Sequence, residues 1–400
     1  MGSIQLCAIV LCALFYVCCA QLRREAYATV PQLIASSGYP VEKHRVTTED
    51  GYVLQIFRIP AGRRSARRTG STNAKGKRAV VMFHGLFGNS GNFVLMGPRN
   101  SLAYILADAG YDVWLANLRG NLYTAHKNLT RNDAAFWDFS FHEHGKYDAP
   151  AIIDKILNIT GLSKIFYVGH SMGTTTFFTM ISQRPEYNDK LVAFVAMAPA
   201  VYLDHLKMIA NFFLKSFDLI SVLRRRGYNS LSIRPDMLAL FAGSFCTARQ
   251  PQTDICMRIL YAIVGEDYDL NPWDMVPTLV SSMHPASFRQ LEHFGKIALT
   301  GTFTSWENGL WGEVKPYKIE NVKIPVTILY GMNDQLTEKS QVMRLADQLN
   351  STGVLESLQP GGGWPKFNHL DFIFAKDVGK MVNKPLVEHI GELYNKYYNE

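Results

Sequence analysis

Short apolar runs rich in Val, Ile, Phe and Tyr recur along the chain, and stretches of helical periodicity separate many of them. Val53–Pro60 follows the turn signal Asp50-Gly51 and pairs with Lys43–Thr48 as a predicted hairpin. Further strands are predicted at Ala79–His84, Tyr111–Ala116, Lys164–His170, Leu191–Ala198, Lys323–Tyr330 and Val354–Gln359. Helices are predicted at Ser101–Ala109, Tyr147–Asn158, Met172–Gln183 and Glu338–Leu349. Strand and helix alternating in this way imply an α/β protein, its mostly parallel sheet covered on both faces. Between about Leu203 and Glu320 the rhythm breaks, and a helical insertion between two sheet strands is the simplest account. The expected organisation is a leader over 1–20, a core over 21–202 and 321–400, and an insertion over 203–320.

Composition supports a large buried core: 48% of the 400 residues are apolar, 19% are charged, and Phe and Tyr number 23 and 19. Wholesale disorder is thereby excluded. A polytopic membrane protein is excluded too, since a single stretch, residues 4–20, reaches membrane-helix character. That stretch is uncharged and ends in Ala20 before a polar segment, which fits a secretory leader cleaved there. The competing reading is an uncleaved anchor, for which 17 residues are barely long enough. Of the net charge of +7, the whole excess lies between Arg63 and Arg78. Without its seven basic residues the chain has 34 cations against 34 anions. A Ser/Gly/Ala-rich solvated loop, open to proteolytic nicking, accounts for it better than a nucleic-acid surface. Asn128, Asn158 and Asn350 each begin an N-glycosylation sequon, consistent with export. Four of the six Cys fall within the leader, leaving Cys246 and Cys256, which are expected to form a disulfide in an oxidising compartment, with two buried free thiols as the alternative.

The sharpest chemical signal is Gly169-His170-Ser171-Met172-Gly173, with a strand before it and a helix after. A serine hydroxyl is a weak nucleophile unless a base is held against it, and a strand-to-helix elbow does this by presenting the oxygen outward. The flanking glycines leave room for the tight turn. An orienting acid is expected at Asp334, in the loop after the strand ending at Tyr330, with helix capping as its bland alternative. The base is expected at His369, in a loop beyond the last strand, whereas His389 lies in a helical pattern and reads as packing or surface. Asp371 competes for the acid role but sits too close in sequence to His369. The turn His84-Gly85-Leu86 follows a strand, so the N–H groups of Leu86 and Met172 are the expected oxyanion donors. His84 is expected to shape that turn, and His170 to be structural and directed away from Ser171. No zinc-binding helix, Cys-pair site or phosphate loop is present. His142 and His144 are spaced for opposite sides of a helix, and Phe136, Trp137, Phe139 and Phe141 read as packing.

With these residues in place the chain resembles the acid lipase family of α/β-hydrolases: gastric and lysosomal acid lipases and their secreted insect relatives. The resemblance rests on Gly38-Tyr-Pro, Thr48-Glu-Asp-Gly-Tyr, His84-Gly-Leu, the run from Asn100 to Leu115, Arg119-Gly-Asn, Gly169-His-Ser-Met-Gly, Gly331-Met-Asn-Asp and Asn368-His-Leu-Asp-Phe, spread over nearly the whole mature chain. It implies Ser171 as nucleophile, Asp334 as acid, His369 as base, and Leu86 and Met172 as oxyanion donors. It also implies that the insertion is a cap with a mobile lid carrying a Cys246–Cys256 disulfide. No cofactor or metal is implied. The implied substrates are neutral lipids, triacylglycerols or sterol esters, met at a lipid–water interface outside the cell or in the lysosomal lumen, with no membrane anchor after leader cleavage. Vertebrate members usually carry Gln where this chain has Met172, and residues 61–78 exceed the usual short connection. Two competing readings are an esterase for small soluble esters and a lipid-binding, yolk-type protein without turnover. An epoxide hydrolase or dehalogenase would need Asp at position 171 and is excluded.

Overall fold

The computed structural model describes residues 28–69, 76–206, 222–231, 258, 260–270, 279, 282–307 and 309–398. The expected leader, Cys246 and Cys256 lie outside these residues.

The hairpin expected around Asp50-Gly51 forms from β1 (Glu42–Thr47) and β2 (Tyr52–Ile59), in antiparallel register from Glu42 opposite Arg58 to Thr47 opposite Val53. The turn requires Gly51: its φ is +97°, and a side chain there would meet the His126 ring at 2.9 Å. Next come β3 (Ala79–Phe83), β4 (Asp112–Leu115), β6 (Ile165–His170), β7 (Leu191–Met197), β10 (Val326–Tyr330) and β11 (Leu355–Pro360). The sheet runs in the order β1-β2-β4-β3-β6-β7-β10-β11, parallel from β4 onward. A short additional strand, β5 (Thr124–His126), pairs with β2.

Every residue of β3, β4, β6 and β7 is buried, as expected for strands covered on both faces. Alternate residues feed two cores. Val81, Phe83 and Tyr167 pack with Phe177 and Phe194 on one face, while Val80, Met82, Phe166 and Val168 pack with Ile390 and Tyr394 on the other. Burying one such side chain contributes about 1.5–3 kcal/mol, so the sheet is a stiff platform. Helix Met172–Gln183 crosses the first core, and helix Lys384–Tyr397 closes the second.

Three expectations are corrected. The basic stretch is not all loop, because Arg63–Thr69 is helical and its first N–H donates to Asp108 at 2.9 Å. Arg and Ala are good helix formers, and the Asp108 carboxylate at the helix start favours the macrodipole. This segment leads into β3 at Ala79, so it lies at the end of the sheet opposite the carboxyl ends of the parallel strands. The helix expected from Tyr147 begins at Ala149, preceded by a wider π turn over His144–Asp148. The insertion is not purely helical, since β8 (Ser230–Leu231) and β9 (Ala286–Ser287) form a two-stranded ribbon. Among the described residues no helix is long and apolar enough to cross a membrane.

Candidate active site

The carboxyl end of the parallel sheet concentrates backbone strain. Among the described residues the only non-glycine positions with positive φ are Phe87, Ser171 and Ala198, each closely following β3, β6 or β7. Ser171 sits at φ 52°, ψ −118°, between the last residue of β6 and the first of helix Met172–Gln183. A backbone of this kind costs about 1–3 kcal/mol and persists where neighbours over-determine it. Here the Ser171 N–H donates to Met197 O at 3.0 Å, and Ser171 O accepts from the N–H and the hydroxyl of Thr174 at 2.8 and 2.6 Å. The flanking glycines are needed for space. A Cβ on Gly169 would lie 2.8 Å from the Gly173 carbonyl carbon, and one on Gly173 would lie 2.2 Å from Phe83 O. Gly173→Ala is therefore expected to destabilise the fold by about 1–3 kcal/mol through overpacking, read as a lower urea midpoint. An unchanged midpoint would mean that the end of β3 gives way.

The expected base and acid converge on this serine. His369 Nε2 is 2.8 Å from Ser171 Oγ, and His369 Nδ1 is 2.8 Å from Asp334 Oδ2. With the proton on Nδ1 donated to Asp334, Nε2 is left to accept the serine hydroxyl. All three residues are buried. Asp334 also fulfils the capping alternative: Oδ1 accepts the N–H groups of Leu336 and Thr337 at 2.8 and 2.7 Å, and Oδ2 accepts the Thr337 hydroxyl at 2.6 Å. Orientation and capping are thus one arrangement, because the bonds that close the turn also lock the carboxylate toward His369. Asp371 instead accepts the Asn368 N–H at 2.7 Å. His389 bonds Thr327 Oγ1 at 2.8 Å and is not brought to the serine.

The turn after β3 leans against Ser171. A Cβ on Gly85 would come within 3.1 Å of Ser171 Cβ and 3.6 Å of its Oγ. Gly88 N–H closes that turn onto Gly85 O at 3.1 Å, and the N–H groups of Leu86 and Met172 donate to no carbonyl among the described residues. The Met172 thioether is not idle, because Gln290 Nε2 approaches its sulfur at 3.4 Å. His84 shapes the turn as expected: Nδ1 bonds Gly85 O at 2.9 Å and Nε2 accepts the Leu118 N–H at 3.2 Å.

His170 does more than its sequence position suggests, donating Nε2–H to the His369 carbonyl at 3.0 Å and so pinning the peptide of the expected base. Thr337 and His284 were likewise not foreseen. His284 N–H donates to Phe87 O at 2.8 Å, and its Nδ1 accepts the Leu122 N–H at 3.2 Å. Burial depresses all three histidines around the site, His84 to about 4 and His170 and His284 to about 3. A group depressed in the folded state contributes stability above its unfolded value, and loses it as pH falls toward the folded value. Stability should therefore decline below pH ~6.5, each histidine removing on the order of 2–3 kcal/mol by pH 4.5. Urea unfolding at pH 7 and 4.5 measures this. His284→Asn, which keeps an acceptor for Leu122 N–H, should flatten the slope, and an unaltered slope would contradict the assignment.

No group of three or more metal-ligating side chains occurs among the described residues. His142 instead bonds the Tyr317 hydroxyl, and His144 packs against Phe139. The aromatic cluster is core, with Phe136 and Trp137 rings 5.0 Å apart. Asn128, Asn158 and Asn350 are all exposed, although the last two sit within helices.

The same architecture recurs in known proteins. Residues 78–370 match the family model described as the alpha/beta hydrolase fold, and residues 30–97 match a partial alpha/beta-hydrolase lipase region. The chain is similar to Lipase 1 of Drosophila melanogaster, 36% identical over 387 residues that span 93% of this chain and 82% of that protein. It is similar to gastric triacylglycerol lipase of Bos taurus, 33% identical over 381 residues and covering 92% of each chain. A candidate lipase of known structure from Sulfolobus solfataricus shares the fold with a TM-score of 0.57 at 14% identity, covering 92% of this chain and 97% of that one.

Proposed function

The chain belongs to the acid lipase family of the α/β-hydrolases, and we propose that it cleaves the ester bonds of neutral lipids, triacylglycerols or sterol esters, through a Ser171–His369–Asp334 triad. It is an ester hydrolase of the lipase type. The observation that carries the proposed mechanism is the relay of two 2.8 Å contacts from Ser171 Oγ through His369 to Asp334, beside the Leu86 and Met172 N–H groups, which donate to no carbonyl among the described residues.

In this reading His369 Nε2 takes the hydroxyl proton as Ser171 Oγ attacks the ester carbonyl, and Asp334 holds the imidazole and stabilises its charged form. The N–H groups of Leu86 and Met172 receive the oxyanion, each worth roughly 3 kcal/mol to the transition state. Because the donor at 172 is backbone, methionine serves there as well as glutamine. The imidazolium then protonates the departing alcohol. Water enters with His369 again as base, releasing the fatty acid and restoring Ser171. No cofactor takes part.

Residues 203–320 are the cap of this enzyme, with a lid that opens at a lipid–water interface and a Cys246–Cys256 disulfide. Residues 1–20 direct export and are removed, leaving a soluble glycoprotein modified at Asn128, Asn158 and Asn350, outside the cell or in the lysosomal lumen. The test is turnover by the secreted chain and its Ser171→Ala variant on emulsified triolein, cholesteryl oleate and a soluble short-chain ester. Ser171-dependent oleate release supports the lipase. Activity confined to the soluble ester would make it a small-ester esterase, and lipid binding without turnover would make it a carrier.

A further inference from the structure

The backbone of the proposed base is held from two sides. His170, on the elbow, takes its carbonyl, while its N–H donates at 3.3 Å to the carbonyl of Val264, a residue of the insertion. The same Val264 carbonyl accepts the N–H of Gln335, next to Asp334, at 3.4 Å. One oxygen therefore ties the loop of the acid to the loop of the base. The next two carbonyls repeat the pattern through side chains, Gly265 O accepting Asn368 Nδ2 at 2.9 Å and Glu266 O accepting Asn333 Nδ2 at 2.8 Å. Asn333 and Asn368 directly precede Asp334 and His369.

The segment is stiff enough to transmit position. Gly265 N–H bonds Tyr261 O at 2.9 Å, the Tyr261 hydroxyl bonds Asp267 O, and Asp267 Oδ1 accepts the N–H groups of Asp269 and Leu270 at 3.0 and 3.1 Å. Its far end is fastened where Lys376 N–H reaches Leu270 O at 2.9 Å. Gly265 is required at the closest approach: its φ is +98°, and a Cβ would lie 1.8 Å from Asn333 O.

We propose that Val264–Glu266 is a brace by which the insertion sets the separation of acid and base, with Gly265, Asn333 and Asn368 as its positioning residues. The proposal rests on the reading of Asp334 and His369 given above. None of the three positioning residues touches a reacting atom. They act through the two loops, so a shifted brace misaligns the relay even for an ester small enough to need no lid movement. In this enzyme the insertion is then part of the catalytic alignment as well as a cover.

The experiment compares the full secreted chain with Gly265→Ala, Asn368→Ser and Asn333→Ala on a soluble short-chain p-nitrophenyl ester. Asn368→Ser retains an oxygen for the N–H groups of Leu370 and Asp371, which Asn368 Oδ1 now accepts, while losing the reach to Gly265. Gly161→Ala is the control for backbone strain alone, since its φ of +72° also disfavours a side chain, with nothing within 4 Å of the new Cβ. The expected result is a fall in kcat of up to about 10²-fold with KM nearly unchanged, as for a small misplacement of a catalytic group. Melting temperatures of Asn368→Ser and Asn333→Ala should drop no further than that of Gly161→Ala, whereas Gly265→Ala, which adds the overlap with Asn333 O, should melt lower, so its kcat is compared per folded molecule. Wild-type kcat in the brace variants, or losses that merely follow the folded fraction as in Gly161→Ala, would overturn the proposal. Ser171→Ala in the same series keeps the two ideas apart: its retention of turnover would defeat the triad reading, whatever the brace variants did.

Discussion

Ser171→Ala lowers kcat roughly 10⁶-fold while leaving the unfolding midpoint and secretion near those of the parent chain. The size follows from geometry. Removing Oγ deletes the proposed attacking atom and the partner of His369 Nε2 at 2.8 Å, yet it leaves the strained backbone in place, because Met197 and Thr174 hold that through main-chain atoms. His369→Ala should cost about as much, and the double variant little more than either single one, since nucleophile and base act as a unit. His389→Ala is the counterpart with almost no effect on kcat, given that its ring meets Thr327 and not the serine. Additive losses in the double variant, or an inactive His389→Ala, would contradict the assignment. The measurement is single-turnover acylation with a soluble ester, which separates chemistry from access to lipid.

Asp334→Asn is expected to lower kcat about 10⁴-fold with little loss of stability. The asparagine oxygen still accepts the N–H groups of Leu336 and Thr337, so the turn survives. Its amide cannot accept from His369 Nδ1, so it selects the tautomer that places the proton on Nε2, facing the serine it must deprotonate. Asp371→Asn tests the rival acid. Asp371 serves the Asn368 N–H, so its loss should appear in stability far more than in kcat. Equal losses of kcat in the two variants would remove the distinction between orienting acid and loop support.

Much of this site could be read from the residues because the elbow imposes local demands. A strand of buried residues, a serine and two glycines within five positions leave few other structures, and the clash distances at Gly169 and Gly173 show why. Asp334 and His369 could be found because each stands in a loop beyond a strand with a clear apolar pattern. The strand β5 escaped because it has three residues, one buried, one half-buried and one exposed, with no alternation to betray it. The π turn at His144–Asp148 leaves no mark, because His-Gly-Lys-Tyr-Asp carries no apolar periodicity from which a helical turn could be read. The brace was invisible for a different reason: its contacts with the loops are carbonyl oxygens, which every residue possesses, and Gly265 alone carries a trace of it. His170 was expected to be structural and directed away from Ser171, whereas its ring reaches the His369 carbonyl across a chain separation of 199 residues that no local pattern encodes.

The basic segment and Ser171, the proposed nucleophile, occupy opposite ends of one sheet. Arg63, Arg64, Lys77 and Arg78 lead into β3, whereas Ser171 follows β6, which runs parallel to β3. Adsorption to a negatively charged carrier through these cations would turn the Ser171 end of the sheet toward the bulk liquid, so an immobilised preparation would be oriented by the protein itself, without an engineered tag.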